Sequence, residues 1–371
     1  MNLTRSSQAK GSAGLRDLAE RNATFLGPLA ALLVLVLLFG VMAPDTFLSS
    51  SNLTNVLSQV SVLAIMAAGM TLVLLLGHID LSVAAVGVLA GVVSAVVYSG
   101  LPLTLPVVGE LQADPGHQWL GIAAAMLISV LFGLLSGLLT ARLGIPSFIA
   151  TLGVLEMAQG LAFYWSQGKN IYDVPPVSKT LGDSFVGPVP VIVIVAVVTL
   201  ALGHVLLTWT RFGRYVYMCG ANPRAAELSG IPIRRVTVTV FVIAGGLFGF
   251  AGVIAVGRLG SAQATGGGDL LLPAIAAVVL GGTSLFGGIG SMKHTAVGLL
   301  LYGVLNNGLD QLDISIYLKP FARGAFLILA IAFNIAALRV ASRARARSSV
   351  EDTDVQDGAA PQTSEPLPAA R

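Results

Sequence analysis

Charged residues are scarce in this chain. Only 11% of its 371 residues are Asp, Glu, Lys or Arg, whereas a typical soluble protein has about 25%. A water-soluble protein of this length could not cover its surface with so few charges, and a disordered chain would also need more of them. Hydrophobic residues make up 55% of the chain, and there are 43 glycines. The composition is therefore that of a membrane protein.

Cysteine is also scarce, and the common cofactor motifs are missing. Cys219 is the one cysteine, which excludes an intramolecular disulfide and a multi-cysteine metal cluster. The four histidines, His78, His117, His204 and His294, have no metal-ligand spacing. No G-x-x-x-x-G-K-[ST] phosphate loop occurs either. We therefore expect no metal and no cofactor on this chain, and any ATP that drives it must bind another chain.

Long apolar runs dominate the sequence instead. Uncharged runs of this length without alternating polar positions fit helices better than barrel strands. The fold class predicted is an all-α polytopic membrane protein with about ten transmembrane helices. The runs lie at about 25–43, 57–77, 82–99, 119–139, 147–166, 188–209, 236–257, 271–287, 295–311 and 320–338.

The basic residues predict the orientation. If the N-terminus is cytoplasmic, most of the 21 Lys and Arg residues fall in cytoplasmic segments, as the positive-inside rule requires. Both termini are then cytoplasmic. We predict a basic cytoplasmic segment 1–23, a transmembrane domain 24–338 with a cytoplasmic loop 210–235, and a tail 339–371. The tail is polar and rich in Pro and Ser, which predicts disorder.

Two segments interrupt apolar runs with polar and small residues. Gly77–Ser82 contains Asp80 and Ser82, and Gly281–Ser291 is rich in glycine. A carboxylate at membrane depth is satisfied where a helix breaks, because backbone amides or water can bind it there. Asp80 also suits the positive end of the following helix. The first segment is therefore either a capped turn or part of a substrate path.

The longest basic loop, 211–235, has the punctuation of a short helix. Asn222 suits the N-cap, Pro223 the first helical position and Gly230 the stop. A helix of about seven residues is not stable alone. We therefore expect it to pack against the ends of its own bundle or against a partner, and the residues alone do not favour either.

This loop resembles the coupling segment of the permease subunits of ribose/xylose-type ABC importers. Further segments similar to the same family follow in the family's order, and the resemblance covers about 55–338. His78 departs from it, since the family has glycine there. The matching loop residues are Phe212, Gly213, Arg214, Gly220, Asn222, Ala225, Ala226, Leu228, Ser229, Gly230 and Ile231. The further segments are 77–82, 146–153, 258–263, 276–284 and 306–308.

The resemblance implies a permease subunit of a sugar importer, in a bacterial inner membrane, that works by alternating access and is not itself an enzyme. It implies three partners: a cytoplasmic ATP-binding cassette ATPase that carries ATP and magnesium, an extracytoplasmic sugar-binding protein, and a second permease, expected to be a second copy. The motifs favour a pentose such as xylose or ribose over branched-chain amino acids. The residues that it implies couple to the ATPase are Arg214, Asn222, Pro223, Arg224, Ala225, Ala226, Glu227, Leu228, Ser229 and Gly230.

Polar residues within the apolar runs are candidates for the translocation path. Glu156 and Gln159 share one helical face, and a carboxylate in a span must face the bundle interior or water. Glu156 is either a neutral structural residue, a lining of the path or a site of proton coupling. Asn306 and Asn307 either bond helices together or contact the sugar. The path candidates are Asp80, Ser82, Glu156, Gln159, Asn306 and Asn307.

An extracytoplasmic loop is the candidate contact for the binding protein. Arg258, Gln263 and Asp269 lie in or beside it, although a solvated loop without a partner explains them equally well.

Two other functions compete with the importer. A proton-coupled secondary transporter would use Glu156 or Asp80 as its coupling carboxylate. A membrane-embedded enzyme would need a nucleophile and base or a metal set, and the sequence offers neither.

Overall fold

The computed structural model describes residues 23–105, 109–266, 270–312, 314–315, 317–326 and 328–329. The predicted tail 339–371, and all but the last residue of the predicted segment 1–23, lie outside the described residues. The described chain is mainly helical. The helices are α1 (Ala23–Met42), α2 (Pro44–Phe47), α3 (Ser50–Leu75), α4 (Val83–Tyr98), α5 (Gln118–Ala141), α6 (Ser147–Ser166), α7 (Pro176–Asp183), α8 (Val191–Trp209), α9 (Arg211–Ala221), α10 (Pro223–Leu228), α11 (Ile233–Leu259), α12 (Leu271–Leu280) and α13 (Met292–Gln311).

Local signals explain several helix ends. The Ser49 hydroxyl accepts a hydrogen bond from the Asn52 amide at 3.3 Å and caps α3. The Thr210 hydroxyl accepts one from the Gly213 amide at 3.0 Å and caps α9. Gly260 ends α11 with a φ of +66°, a conformation in which glycine avoids the Cβ clash.

Six described helices are long and apolar enough to cross a membrane: α1, α3, α5, α6, α8 and α11. The chain is therefore a helical polytopic membrane protein. Two predicted spans are shorter than the sequence indicates, since α4 has 16 residues and α12 has 10. Helix α12 ends at Leu280, where the glycine-rich segment begins. Residues 319–326 are helical, and most of the last predicted run lies outside the described residues.

Two short hairpins lie between helices and were not predicted. Strand β1 (Leu103–Leu105) pairs with β2 (Gly109–Leu111), and β3 (Phe185–Val186) pairs with β4 (Val189–Pro190), both antiparallel. Strands of two or three residues are too short to carry an alternating pattern. The hairpins connect α4 to α5 and α7 to α8.

Helix α11 is the centre of the bundle and packs against α3, α4, α5 and α7. Glycines allow this packing: a Cβ on Gly252 would overlap the Gly87 carbonyl oxygen, and one on Gly133 would overlap that of Phe241. Small residues bring backbones into contact where lipid offers no hydrophobic drive for helix association. The glycine pairs of this chain therefore serve packing within one bundle.

Helix α1 is attached to the rest of the chain mainly through α13. Phe39 and Leu35 on α1 form an apolar cluster with Leu301 and Leu305 on α13. The ring of Phe39 occupies the space where a side chain on Gly308 would lie.

Candidate coupling and translocation sites

The basic loop contains the short helix that the sequence predicts. Helix α10 begins at Pro223, and the Asn222 side-chain oxygen accepts a hydrogen bond from the Ala225 amide at 3.0 Å. Gly230 follows the helix with a φ of +78°. The predicted cap, first residue and stop are confirmed.

Nearly all the predicted coupling residues are exposed, and Ala226 is the exception. Its side chain is 1% exposed and is part of the core of this chain. Leu228 on the same helix is 84% exposed. Ala226 therefore anchors α10 to its own bundle, whereas the apolar side chain of Leu228 makes little contact within the chain. The exposed members are Arg214, Asn222, Pro223, Arg224, Ala225, Glu227, Leu228, Ser229 and Gly230.

Asp80 and Ser82 form a buried turn between α3 and α4. One Asp80 carboxylate oxygen accepts hydrogen bonds from the Ser82 amide at 2.8 Å and the Ser82 hydroxyl at 2.6 Å. Burial raises the pKa of Asp80 to about 6, and the two bonds from Ser82 act in the opposite direction. Asp80 thus closes the turn that leads into α4, while Ser82 is the N-cap residue and makes no side-chain capping bond.

Glu156 and Gln159 have different surroundings although both lie on α6. Gln159 is half-buried and lines a cavity beside Ala84 on α4 and Leu271 on α12. Glu156 lies near the middle of α6 and is exposed on the outside of the single chain. Of the two surroundings expected for this carboxylate, the interior of its own bundle does not apply within the single chain, because α6 turns this part of its face away from α4 and α5.

Asn307 belongs to a buried amide cluster. Asn52 and Asn307 form a reciprocal pair in which each Nδ2 donates to the Oδ1 of the other at 2.8 Å. Asn52 Nδ2 also donates to the Phe47 carbonyl at 2.8 Å, and Gln311 Nε2 donates to Asn52 Oδ1 at 2.9 Å. This cluster fastens α13 to α3. The neighbouring Asn306 is half-buried.

We expect Asn307→Leu to destabilise the bundle by about 1–3 kcal/mol, because the buried Asn52 amide loses both hydrogen bonds of the reciprocal pair. Thermal unfolding of the purified protein in detergent measures the effect. The double variant Asn52→Leu/Asn307→Leu is expected to recover part of the loss, since neither amide is then unpaired. Asn306→Leu is the matched control. A melting temperature of Asn307→Leu equal to that of the unmodified protein would contradict the structural role.

Arg258 occupies the last turn of α11, at the end away from the basic loop, and is half-buried. A cation there interacts favourably with the helix dipole. Gln263 is half-buried, and its Nε2 donates to the Ser261 hydroxyl at 3.0 Å. Ala262 and Ile171 exchange backbone hydrogen bonds of 3.0 and 2.8 Å, which fix this segment. Asp269 lies outside the described residues.

Two cavities in the described bundle have a glutamine in a mainly apolar lining, and both are small. The cavity at Gln159 has a volume of about 50 Å³, and the one at Gln263, beside Met66 and Gly87, about 60 Å³. Sites for small molecules usually have about 300–1,000 Å³. A larger cavity of about 220 Å³ lies between α3, α8 and α13 and is lined mainly by apolar side chains. The cavities at Gln159 and Gln263 are therefore too small for a sugar.

Sequence reasoning missed several residues that hold these sites. The hydroxyls of Ser147 and Thr151 bind the backbone of residues 79–81, and the Tyr217 hydroxyl donates to the Gly290 carbonyl at 2.8 Å. Small polar residues at helix starts and a tyrosine in a basic loop are too common to single out from one sequence. Asn52, an amide close to an apolar run, is the partner that could have been suspected.

Apolar spanning helices, buried amides between them and a short, capped, exposed helix in a basic loop define the class of a membrane transport permease. Residues 52–331 match the family model described as branched-chain amino acid transport system / permease component. The chain belongs to this family of permease components. It is accordingly a multi-pass protein of a bacterial inner membrane.

Curated relatives cover most of both chains. The ribose import permease protein RbsC of Haemophilus influenzae is 37% identical over 305 residues, with 81% of this chain and 90% of the relative covered. The protein of the same name in Escherichia coli K12 is 38% identical over 314 residues, covering 82% and 91%. The L-arabinose ABC transporter permease protein AraH of Azospirillum brasilense is 33% identical over 331 residues, covering 88% and 91%. No solved structure matches the chain.

Proposed function

We propose that this chain is the permease subunit of an ATP-driven, binding-protein-dependent sugar importer, with a pentose such as ribose or xylose as its substrate. The observation that carries the proposal is the similarity, over more than four fifths of the chain, to ribose import permeases. The family model is described by branched-chain amino acid transport. Relatives named for ribose, D-allose and L-arabinose favour a sugar over an amino acid.

Energy comes from a separate ATPase that binds ATP and magnesium, and this chain carries neither. The sequence lacks a phosphate-binding loop, and the exposed side of α10 supplies a docking element. Leu228 is its apolar centre, with Arg224 and Glu227 beside it. Because α10 is capped at Asn222 and anchored by Ala226, it moves as a rigid part of the bundle rather than as a loose loop.

The chain has about ten transmembrane helices and cytoplasmic termini. The six long apolar helices are supplemented by α4, α12, α13 and the last apolar run. The basic loop that contains α9 and α10 lies on the cytoplasmic side, in agreement with its arginines. The hairpins and the segment after Gly260 then lie on the other side, where Arg258, Gln263 and Asp269 meet the sugar-binding protein.

The sugar path is shared between two copies of this chain. The cavities beside Gln159 and Gln263 within one copy are too small for a sugar, and Glu156 is exposed on the outside of that copy. A carboxylate facing lipid near the middle of a span costs about 3 kcal/mol, so a second copy or water must face it. Glu156 therefore lines the shared path, with Gln159 close behind.

Reconstituted uptake tests the proposed function. The chain, its ATPase and its binding protein are placed in vesicles, and uptake of labelled ribose and xylose is measured. We expect uptake to require ATP on the side of the membrane where the ATPase is bound. We also expect a protonophore to leave uptake unchanged. Uptake that persists without ATP and collapses with the protonophore would instead establish a proton-coupled secondary transporter.

A further inference from the structure

Where α3 ends and the loop at residues 76–82 begins, the backbone packs against α9 and against the segment 281–291. The Gly288 amide donates a hydrogen bond of 2.9 Å to the Leu75 carbonyl, at the end of α3. A Cβ on Gly220, at the end of α9, would overlap that same carbonyl oxygen. Gly77 has a φ of +76°, and a Cβ there would lie 3.1 Å from the Phe286 carbonyl. Three segments thus meet backbone to backbone, without intervening side chains.

A tyrosine adds a side-chain bond to this junction. The Tyr217 hydroxyl on α9 donates to the Gly290 carbonyl at 2.8 Å. The segment 281–291 is therefore held on one side by α9 and on the other by the end of α3. A displacement of α9 and α10 must move this junction as a unit, because packed backbones leave no free volume to absorb it.

The later part of the same loop is hydrogen-bonded to α6. The Ile79 amide donates to the Ser147 hydroxyl at 3.1 Å, and the Leu81 amide donates to the Thr151 hydroxyl at 3.0 Å. Thr151 is fully buried and donates in turn to the Ser147 carbonyl at 2.8 Å. Residues 147 and 151 lie one helical turn apart, so two successive rungs of α6 hold the loop.

The loop is the short route between the coupling segment and α6, since the other route passes through α11 and then α4 or α5. In the described part of the chain, the extensive helix contacts of α6 are with α4 and α5, whereas α9 packs against α8, α10, α11 and α3. The 76–82 loop hydrogen-bonds to α6 directly, and it reaches α9 through Gly287, which lies between Gly77 and Gly220. We propose that it is a relay through which movement of α10 reaches α6 and its Glu156 face, with Thr151, Ser147 and Tyr217 as positioning residues. The proposal rests on the proposed function, since it needs an ATPase that moves α10.

Thr151→Val tests the attachment of the loop to α6, because it keeps the shape of the side chain and removes its hydroxyl. We expect normal ATPase binding and sugar-stimulated ATP hydrolysis, but about fivefold less sugar imported per ATP, the factor that corresponds to one lost hydrogen bond. Thr151→Ser restores the hydroxyl and should restore the ratio. Thr199→Val on α8 is the matched control, since its hydroxyl binds only the Val195 carbonyl of its own helix, at 2.8 Å.

Tyr217→Phe tests the attachment of α9 to the segment 281–291, and it replaces the first experiment if Thr151→Val fails to fold. It should also lower the sugar-to-ATP ratio, whereas Tyr215→Phe should not. Unchanged ratios in folded Thr151→Val or in Tyr217→Phe overturn the relay while leaving the importer intact. If the unmodified chain binds no ATPase, the proposed function fails first, and the relay fails with it. The two failures are thus distinguishable.

Discussion

Leu228→Asp should abolish sugar uptake while leaving the permease folded. The leucine is 84% exposed at the end of α10, so the substitution removes no packing within the chain. A carboxylate placed in an apolar interface loses its water without gaining a partner, which costs about 2 kcal/mol or more, or about thirtyfold in affinity. We expect the affinity of the purified ATPase for the permease in lipid nanodiscs to fall by at least about that factor, and uptake to fall with it.

The matched control is Leu111→Asp. Leu111 is also exposed, at 51%, but it lies in the β1–β2 hairpin. The hairpin follows the end of α4 that is remote from the 76–82 loop. Leu111→Asp should therefore bind the ATPase normally. Normal ATPase affinity in Leu228→Asp would remove α10 as the docking element. Ala226 is unsuitable for this experiment, because a carboxylate at a buried position would disturb the bundle itself.

Glu156→Leu should have the second large effect, on transport and not on ATPase binding. If the carboxylate bonds sugar hydroxyls in a shared path, its loss removes about 1.5–3 kcal/mol, or at least about tenfold in uptake. Glu156→Gln keeps hydrogen-bonding groups and should retain most of the activity. Labelled-sugar uptake in the reconstituted vesicles measures both variants.

Met157→Leu is the control for Glu156, since Met157 is the adjacent exposed residue on α6. Normal uptake by Glu156→Leu would remove the residue from the path. Equal loss in the Gln and Leu variants, together with sensitivity to a protonophore, would show that the carboxylate carries protons. Sugar uptake by Glu156→Gln therefore distinguishes the importer, in which most of it is retained, from the secondary transporter, in which it is lost.

The sequence predicts the spans and the loop helix well because these depend on local signals. Helix α10 is specified by Asn222, Pro223 and Gly230 within nine residues. Apolar length likewise identifies six long helices. The shortness of α12 is less evident, because its apolar run continues past Gly281 in composition although the helix does not.

Contacts between distant parts of the chain could not be predicted in the same way. Asn52 and Asn307 are separated by 255 positions, and nothing in either local sequence names the other. The orientation of Glu156 is also hidden, because the apolar residues of α6 are spread around the helix and their periodicity does not distinguish the core face from the outer face. Only the packing of α6 on α4 and α5 decides that Glu156 points outward.

Recovery of the tagged chain from its native membrane in mild detergent, with identification of the proteins that accompany it, tests the importer most directly. We expect an ATP-binding cassette ATPase with the unmodified chain and with Leu111→Asp, and its loss with Leu228→Asp. If no ATPase accompanies the unmodified chain after cross-linking, although the chain still supports sugar uptake, the energy source is not ATP on a partner subunit, and the central claim is wrong.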